Sequence, residues 1–156
     1  MHKFGITLIA IATATAPLSG CGGNSSSGTT SAGKQARPAT APAKATGGKL
    51  VMQMGEMFFR PKAVTAAHGS LRVTERNVGQ TTHEFILVRS STAPGSLPAP
   101  GGRLDEKQLD VMGEIADVAA GQSKSKTFAL KPGKYIYICN VPGHYSAGMY
   151  GGLTVR

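Results

Sequence analysis

The 156-residue sequence contains no tryptophan, only two cysteines, and eight acidic residues against 17 lysines and arginines. Two cysteines exclude a disulfide-rich scaffold and any zinc or iron-sulfur site that needs four thiolates. No apolar run reaches the roughly 20 residues that a membrane-spanning helix requires. With 40% hydrophobic residues, the chain has enough apolar material for one core. The composition therefore predicts a single compact domain with appendages.

The first 21 residues resemble the export signal of a bacterial lipoprotein. Lys3 precedes an uncharged stretch from Gly5 to Ala16, which is typical of a signal peptide. The sequence Leu18-Ser19-Gly20-Cys21 resembles a lipobox, where a peptidase cuts before a cysteine that carries diacylglycerol. An ordinary secretory cleavage site or a short core helix is the alternative. We expect residues 1–20 to be a signal peptide and Cys21 to be lipidated, which predicts an extracytoplasmic protein, lipid-anchored to a bacterial membrane on its periplasmic or cell-surface side.

The segment that follows predicts a flexible tether over residues 21–48. It consists almost entirely of Gly, Ser, Thr, Ala and Pro and has no acidic residue, so it cannot bury a core. The remaining residues, 49–156, carry 13 basic and 8 acidic side chains. They contain no basic run, no RNA-binding aromatic pattern and no Cys/His finger spacing. We therefore expect no nucleic-acid partner.

The folded part is predicted to be all-β. Short runs rich in Val, Ile, Phe, Tyr and Thr alternate with Gly, Pro and Asn. In one run, Leu71, Val73 and Glu75 share a face opposite to charged and hydroxyl side chains, whereas the run from Tyr135 to Ile138 is apolar on both faces and predicts a covered central strand. One short helix is predicted within a long connection, from Arg103 to Asp110. The predicted strands are Lys49–Met54, Ser70–Arg76, His83–Arg89, Lys124–Leu130, Lys134–Cys139 and Gly152–Arg156.

Potential metal ligands are concentrated after the central strand, where Cys139, His144 and Met149 follow one another with the spacing C-x4-H-x4-M. A thiolate at a strand end, an imidazole after a Pro-Gly bend and a thioether after a second bend converge from one loop. His83, at the start of another strand, supplies a fourth donor. Two imidazoles and a thiolate with a weak thioether are the ligands of electron-transfer copper sites, whereas zinc is poorly served by a thioether. The pattern predicts a copper site.

These motifs, together with the Leu130-Lys131-Pro132-Gly133 turn before the central strand, resemble those of the cupredoxins, the blue-copper family that includes plastocyanin, auracyanin and rusticyanin. The resemblance implies a Greek-key β-sandwich over residues 49–156 that holds one type 1 copper ion. The family's metal ligands then fall on His83, Cys139, His144 and Met149. Many members have Asn directly after the first histidine, and here that position is Glu84.

The resemblance also implies a function: an electron carrier that cycles Cu(I)/Cu(II), which we expect to be monomeric and, through lipidated Cys21, membrane-anchored. Electrons would pass through the exposed edge of His144, within an uncharged patch formed with Pro142, Gly143 and Tyr145. The expected partners are redox proteins, such as c-type cytochromes or a membrane oxidase or reductase. An enzyme is not expected, because copper enzymes of this fold place His beside the ligating cysteine, and here Ile138 and Asn140 flank Cys139.

One alternative function stays open from the sequence. The protein could instead capture or deliver copper, and the methionines Met52, Met54 and Met57 would then form a second soft site, although methionine is also a common core residue. His68 is predicted to lie in a surface turn, away from the metal. A second copper site would require the side chains of Met52, Met54 and Met57 to be accessible and not buried in the core.

Overall fold

In the computed structural model, residues 41–156 are described, and the predicted signal peptide, Cys21 and most of the tether lie outside them. Within this range the chain forms ten strands in two sheets. The first sheet has the order β1-β4-β10-β9-β6-β7 and the second β3-β2-β5-β8. The strands are β1 Ala43–Lys44, β2 Lys49–Gly55, β3 Phe58–Arg60, β4 Ala63–Ala66, β5 Gly69–Asn77, β6 His83–Arg89, β7 Asp110–Val118, β8 Ser123–Leu130, β9 Gly133–Ile138 and β10 Tyr150–Val155.

The two sheets form the predicted all-β sandwich with Greek-key crossovers. Neighbouring strands in each sheet come from distant parts of the chain: β2 pairs with β5 in parallel, and β9 lies between β10 and β6 in antiparallel register. Strand β1 pairs with β4 through Ala43 and Lys44. The end of the predicted tether range thus contributes a short strand to the sandwich.

Alternating side chains fill the space between the sheets. Leu71, Val73 and Glu75 of β5 point inward as predicted, and β9 is covered on both faces. Met52 and Met54 are also core residues, with 1% and 0% exposure. The aromatic centre consists of Phe59 edge-on to Phe85 and Tyr137, whose rings stack on each other.

A second, smaller apolar cluster lies on the outer face of the six-stranded sheet. There the long connection between β6 and β7 packs Leu104 and Leu97 over Ile136 and Ile138. The connection has little regular structure of its own, with 3-10 turns at Pro100–Gly102 and Glu106–Gln108. Its apolar side chains explain why β9 is apolar on both faces.

The predicted helix from Arg103 to Asp110 is reduced to the single 3-10 turn Glu106–Gln108. Both backbone groups of Leu104 are hydrogen-bonded to the side chain of Asn140, and the Asp105 carboxylate caps the turn by accepting from the Lys107 N–H. Asp110 already begins β7. A segment fixed at both ends has no room for more than one helical turn.

Strand β7 was not predicted from the sequence. Its pairing with β6 shifts register twice, and Gly113 and Asp117 adopt positive φ values of 137° and 50°. Such bulges break the two-residue alternation by which strands are recognised. Within residues 41–156, no helix is long and apolar enough to cross a membrane.

Glu75 is an unusual core residue, because both carboxyl oxygens are buried and neither has a hydrogen-bond partner. Burial raises the pKa of Glu75 to about 8, so the folded protein keeps this carboxyl protonated at neutral pH. The unfolded chain releases the proton near pH 4.5. The contribution of Glu75 to stability is therefore full below that pH and is lost as the pH rises through about 8.

We expect Glu75→Met to remove this loss and to raise the free energy of unfolding at pH 8 by about 2 kcal/mol or more. The measurement is urea unfolding of both proteins at a series of pH values between 5 and 8. Asp110→Asn, which removes an exposed carboxylate, is the matched control and should keep the wild-type pH dependence. A Glu75→Met protein that loses stability with pH as steeply as the wild type would contradict the assignment.

Candidate metal centre

His83 and Cys139 are brought together by strand pairing. His83 is the first residue of β6, and Cys139 directly follows Ile138, the last residue of β9. The two strands are antiparallel neighbours, with Ile86 opposite Ile138, so the start of one meets the end of the other. Both side chains are fully buried.

His144 reaches the same point from a tight loop closed by its own backbone. Gly143 adopts a φ of 83°, which glycine accepts without strain, and the His144 N–H donates to the Val141 carbonyl at 3.0 Å. The Met149 N–H donates to the His144 carbonyl at 3.0 Å, and the Cys139 N–H donates to the Met149 carbonyl at 3.1 Å. This ladder ties Cys139, His144 and Met149 into one unit.

The donor atoms of three predicted ligands converge. His83 Nδ1 lies 3.2 Å from His144 Nδ1, and Cys139 Sγ lies 3.4 Å from the same His144 nitrogen. All three donor atoms lie within 4.8 Å of one another, and no other such group of His, Cys, Asp and Glu occurs among residues 41–156. The fourth predicted ligand, Met149, is fully buried at the end of the ligand loop, and its role as a ligand stays a prediction.

The outer nitrogen of His83 faces a small polar group. His83 Nε2 lies 3.3 Å from Thr81 Oγ1 and 3.7 Å from Glu56 Oε1. Glu56 accepts hydrogen bonds from the N–H groups of Gln80 and Thr81, which lower its pKa to about 2. An ionised carboxylate behind a ligating histidine orients the ring and holds the metal-facing nitrogen unprotonated.

Burial also affects the ionisation of the ligands. Burial raises the pKa of the Cys139 thiol, while the backbone N–H groups of Glu84 and Val141 act in the opposite direction. Burial and the neighbouring His144 lower the pKa of His83, against the attraction of Glu56. A soft metal that binds here therefore meets a neutral His83 imidazole and displaces the proton of the Cys139 thiol.

Comparison with known proteins agrees with this geometry. Residues 46–156 match the plastocyanin/azurin family of copper binding proteins. The chain belongs to this family. The copper-resistant cuproprotein CopI of Rubrivivax gelatinosus is 32% identical over 77% of this chain and 72% of its own length.

Auracyanins give a second comparison. Auracyanin-B of Chloroflexus aurantiacus is 33% identical over 75% of this chain and 60% of its own length. An auracyanin B crystal structure superposes with a TM-score of 0.58 at 26% identity and covers 74% of this chain and 90% of that one. The sequence-based assignment to the cupredoxins is thus confirmed.

The donor set fits the copper ion that the family implies. One thiolate and two imidazoles in a preassembled cluster, of which only His144 reaches the surface, suit copper, because soft sulfur and imidazole are the ligands that it prefers. This cupredoxin can therefore bind one copper ion through His83, Cys139 and His144.

Glu84 holds the cysteine loop in this cupredoxin. Its Oε1 accepts from the Asn140 N–H at 2.8 Å, next to Cys139. Burial raises the pKa of Glu84, and the Asn140 N–H opposes that shift. Glu84, which stands where many family members have Asn, therefore still provides a side-chain oxygen that accepts a hydrogen bond from the cysteine loop.

The Asn140 side chain connects the ligand loop to the long β6–β7 connection. Its Oδ1 accepts from the Leu104 N–H at 2.7 Å, and its Nδ2 donates to the Leu104 carbonyl at 3.1 Å and to Glu106 Oε1 at 2.7 Å. The Gly143 N–H adds a bond to the Gly102 carbonyl at 2.9 Å. The long connection is therefore a brace for the ligand loop.

The structure corrects the predicted surface around His144. Tyr145 was expected in the exposed patch, but its ring is buried and its hydroxyl accepts from the Leu97 N–H at 2.9 Å. The half-buried His144 is instead bordered by exposed Pro142, Gly143 and Ala147. The patch remains uncharged.

Three further polar residues complete the comparison with the sequence analysis: His68, which lies where it was predicted, and Asn140 and Glu56, which the sequence did not indicate. His68 Nδ1 contacts the Arg156 carbonyl at 3.1 Å, away from the cluster. Asn140 and Glu56 were not recognised as supporting residues. Asn140 stands next to the cysteine, which is a local signal, but Glu56 is 27 positions before His83 and gives none.

We expect Asn140→Ala to destabilise the protein by about 1–3 kcal/mol, because it leaves the buried Leu104 N–H without a partner. Urea unfolding measures this loss, and limited proteolysis should show faster cleavage between residues 95 and 106. Glu106→Ala is the matched control, since it removes one of the same three bonds from a half-buried side chain but leaves both bonds to Leu104 in place, and it should cost about 1 kcal/mol or less. An equal loss of unfolding free energy in the two variants would contradict the inference that Asn140 braces the ligand loop through Leu104.

Proposed function

We propose that this cupredoxin is an extracytoplasmic electron carrier that cycles one copper ion between Cu(I) and Cu(II). The observation that supports this best is the combination of two buried ligands with one accessible ligand. His83 and Cys139 are closed off from solvent, whereas His144 is half-buried in an uncharged surface. An electron can enter or leave at one side of such a site without opening it to water.

The residues around the metal favour rapid electron exchange because they are held in place. Bound copper supplies the one-electron couple. Cys139 and His83 are fixed at the ends of paired strands, and His144 is fixed by the backbone bonds of its loop. Donor atoms that are positioned in advance need to move little when the charge at the site changes, which keeps the barrier to transfer low.

The surface around His144 supports a small and transient contact. Pro142, Gly143 and Ala147 offer no charge that a partner would have to desolvate. Weak redox encounters bury little surface and dissociate quickly. We propose a c-type cytochrome or a membrane oxidase or reductase as partner, and we propose that lipidated Cys21 and the tether keep the monomeric domain close to it.

Copper capture or delivery is the second candidate function. It is favoured by the similarity to a copper-resistant cuproprotein. The methionines give it less support, because Met52 and Met54 are buried in the core and only Met57, with 38% exposure, reaches the surface. A catalytic function is not favoured, because the residues beside Cys139 offer no ligand for a second metal ion. Ile138 is apolar and buried, and the Asn140 side chain is already hydrogen-bonded to Leu104 and Glu106.

We expect the purified protein to bind one equivalent of Cu(II) with an intense visible charge-transfer band and a narrow copper hyperfine splitting. Cys139→Ser should abolish the band, because the thiolate is its source. The measurement is a visible and electron-spin titration with Cu(II). Cys21→Ser is the matched control and should keep the colour. A colourless copper complex of the wild-type protein would contradict the carrier.

A charge at the proposed contact should separate the two functions. We expect Ala147→Glu to keep the copper spectrum but to lower the rate constant for electron exchange with a c-type cytochrome about tenfold, since the carboxylate must be desolvated on contact. Stopped-flow measurements at high ionic strength remove long-range attraction from the comparison.

Ala129→Glu, at an exposed position near the opposite end of the sandwich, is the matched control and should exchange electrons as the wild type does. Copper transfer to an apo-acceptor is measured alongside. Fast copper transfer with slow electron exchange in the wild type would favour copper handling instead.

A further inference from the structure

The outer face of the four-stranded sheet carries an array of basic side chains, which we name the cationic face. Four exposed residues define it: Lys49 of β2, Arg60 of β3, and Arg72 and Arg76 of β5. Their positions alternate with the core residues of the same strands, so all four lie on the solvent side of the sheet. The copper site contributes nothing to this face.

Strand register determines how the four charges are spread. Lys49 is paired directly with Arg72, while Gln53 is paired with both Arg60 and Arg76. Arg72 and Arg76 are four residues apart on one strand, which is about 13 Å, and Arg60 and Arg76 are two strands apart, which is about 10 Å. No single phosphate or carboxylate can reach all four side chains. The array matches an extended anionic surface.

The acidic residues of the folded domain lie elsewhere. Glu75 points into the core, Glu56 binds the loop before His83, and the other six belong to β6, β7 and the connection between them. Among residues 41–156, the only basic side chain within ion-pair distance of a carboxylate is His83, which lies 3.7 Å from Glu56, so no member of the cationic face is neutralised by a carboxylate. The acidic residues of the domain are therefore kept away from the cationic face, and its positive charge is left uncompensated.

The side chains between the charges are small and polar. Thr74 and Ser125 share a hydrogen bond of 2.8 Å, and Thr127 and Ser123 continue the surface along β8. Val51 is the one strongly exposed large apolar side chain of this face, and the half-buried Phe58 ring is covered by the Arg60 guanidinium, which lies 4.7 Å from its centroid. Protein interfaces are built around a central group of aromatic and apolar residues. A flat polar surface with separated charges has no such centre, and it suits a plane of lipid headgroups better than a protein partner.

We propose that the cationic face docks the domain on the anionic headgroups of a lipid bilayer. Each basic residue close to such a surface strengthens binding about fivefold, the equivalent of about 1 kcal/mol. The copper ligands lie at one end of the sandwich and not on this face. The docked domain therefore keeps His144 free for a partner. The proposal goes beyond electron transfer and does not depend on it.

Lysine footprinting of the full chain tests the docking. The chain is mixed at low salt with vesicles of phosphatidylcholine and phosphatidylglycerol, or of phosphatidylcholine alone, and acylated lysines are quantified by mass spectrometry. We expect the reactivity of Lys49 to fall severalfold on the anionic vesicles only. Lys107 and Lys134, on the other side of the domain, should keep their reactivity. Because Lys49 reports on the face itself, membrane binding by another part of the chain does not imitate the result.

A pair of matched variants checks that charge is the cause. Arg72→Gln/Arg76→Gln should weaken binding to the anionic vesicles by about tenfold or more and abolish the protection of Lys49. Lys107→Gln/Lys134→Gln removes the same charge elsewhere and should leave the protection intact. Salt at about 1 M, which shortens the screening length to about 3 Å, should also abolish it. Unprotected Lys49 on anionic vesicles, or equal effects of the two variants, would overturn the proposal and leave an acidic protein as the partner to consider.

Discussion

The antiparallel pairing of β6 with β9 is the constraint on which the metal centre depends. Residues 83 and 139 are 56 positions apart, and only the register that places Ile86 opposite Ile138 brings His83 and Cys139 to the same end of the sandwich. A slip of one residue would turn one of the two strands over and point its ligand away from the site. Close packing on both faces of β9 opposes such a slip, because each buried side chain from Tyr135 to Ile138 would have to be repacked on the other side.

Precise positioning of the third ligand requires a different device, because His144 lies in a loop. Backbone bonds close the loop on itself, and Asn140 and Gly143 fasten it to the long β6–β7 connection. That connection is in turn fixed by its own apolar residues on the outer face of the sheet. A segment without regular structure thus becomes rigid through packing on one side and hydrogen bonds on the other, which is how a loop can hold a ligand as firmly as a strand does.

Sequence patterns predicted the parts of this arrangement that depend on local chemistry. The C-x4-H-x4-M spacing and the apolar run from Tyr135 to Ile138 indicated the ligand loop and the central strand, because each lies within a few consecutive residues. Strand β7 was missed because its bulges disturb the alternation, and the helix at Arg103 was overestimated because its charged residues are recruited as caps and braces. Glu56 and the inward turn of Tyr145 depend on contacts between distant segments, and single-sequence patterns carry no information on these.

Both sheets cooperate at the ligand end of the sandwich. Asn77, the last residue of β5, donates to the carbonyls of Thr81 and Val118 at 2.7 and 2.8 Å and accepts from the Gly79 N–H at 2.9 Å. It thereby shapes the turn whose amide groups bind Glu56, and this carboxylate faces the outer nitrogen of His83. The four-stranded sheet thus supports a ligand that belongs to the six-stranded sheet. Asn77 supports His83 from the buried end of β5 and not from the outer side of the strand. The outer face of the four-stranded sheet can therefore carry charge without disturbing the metal centre.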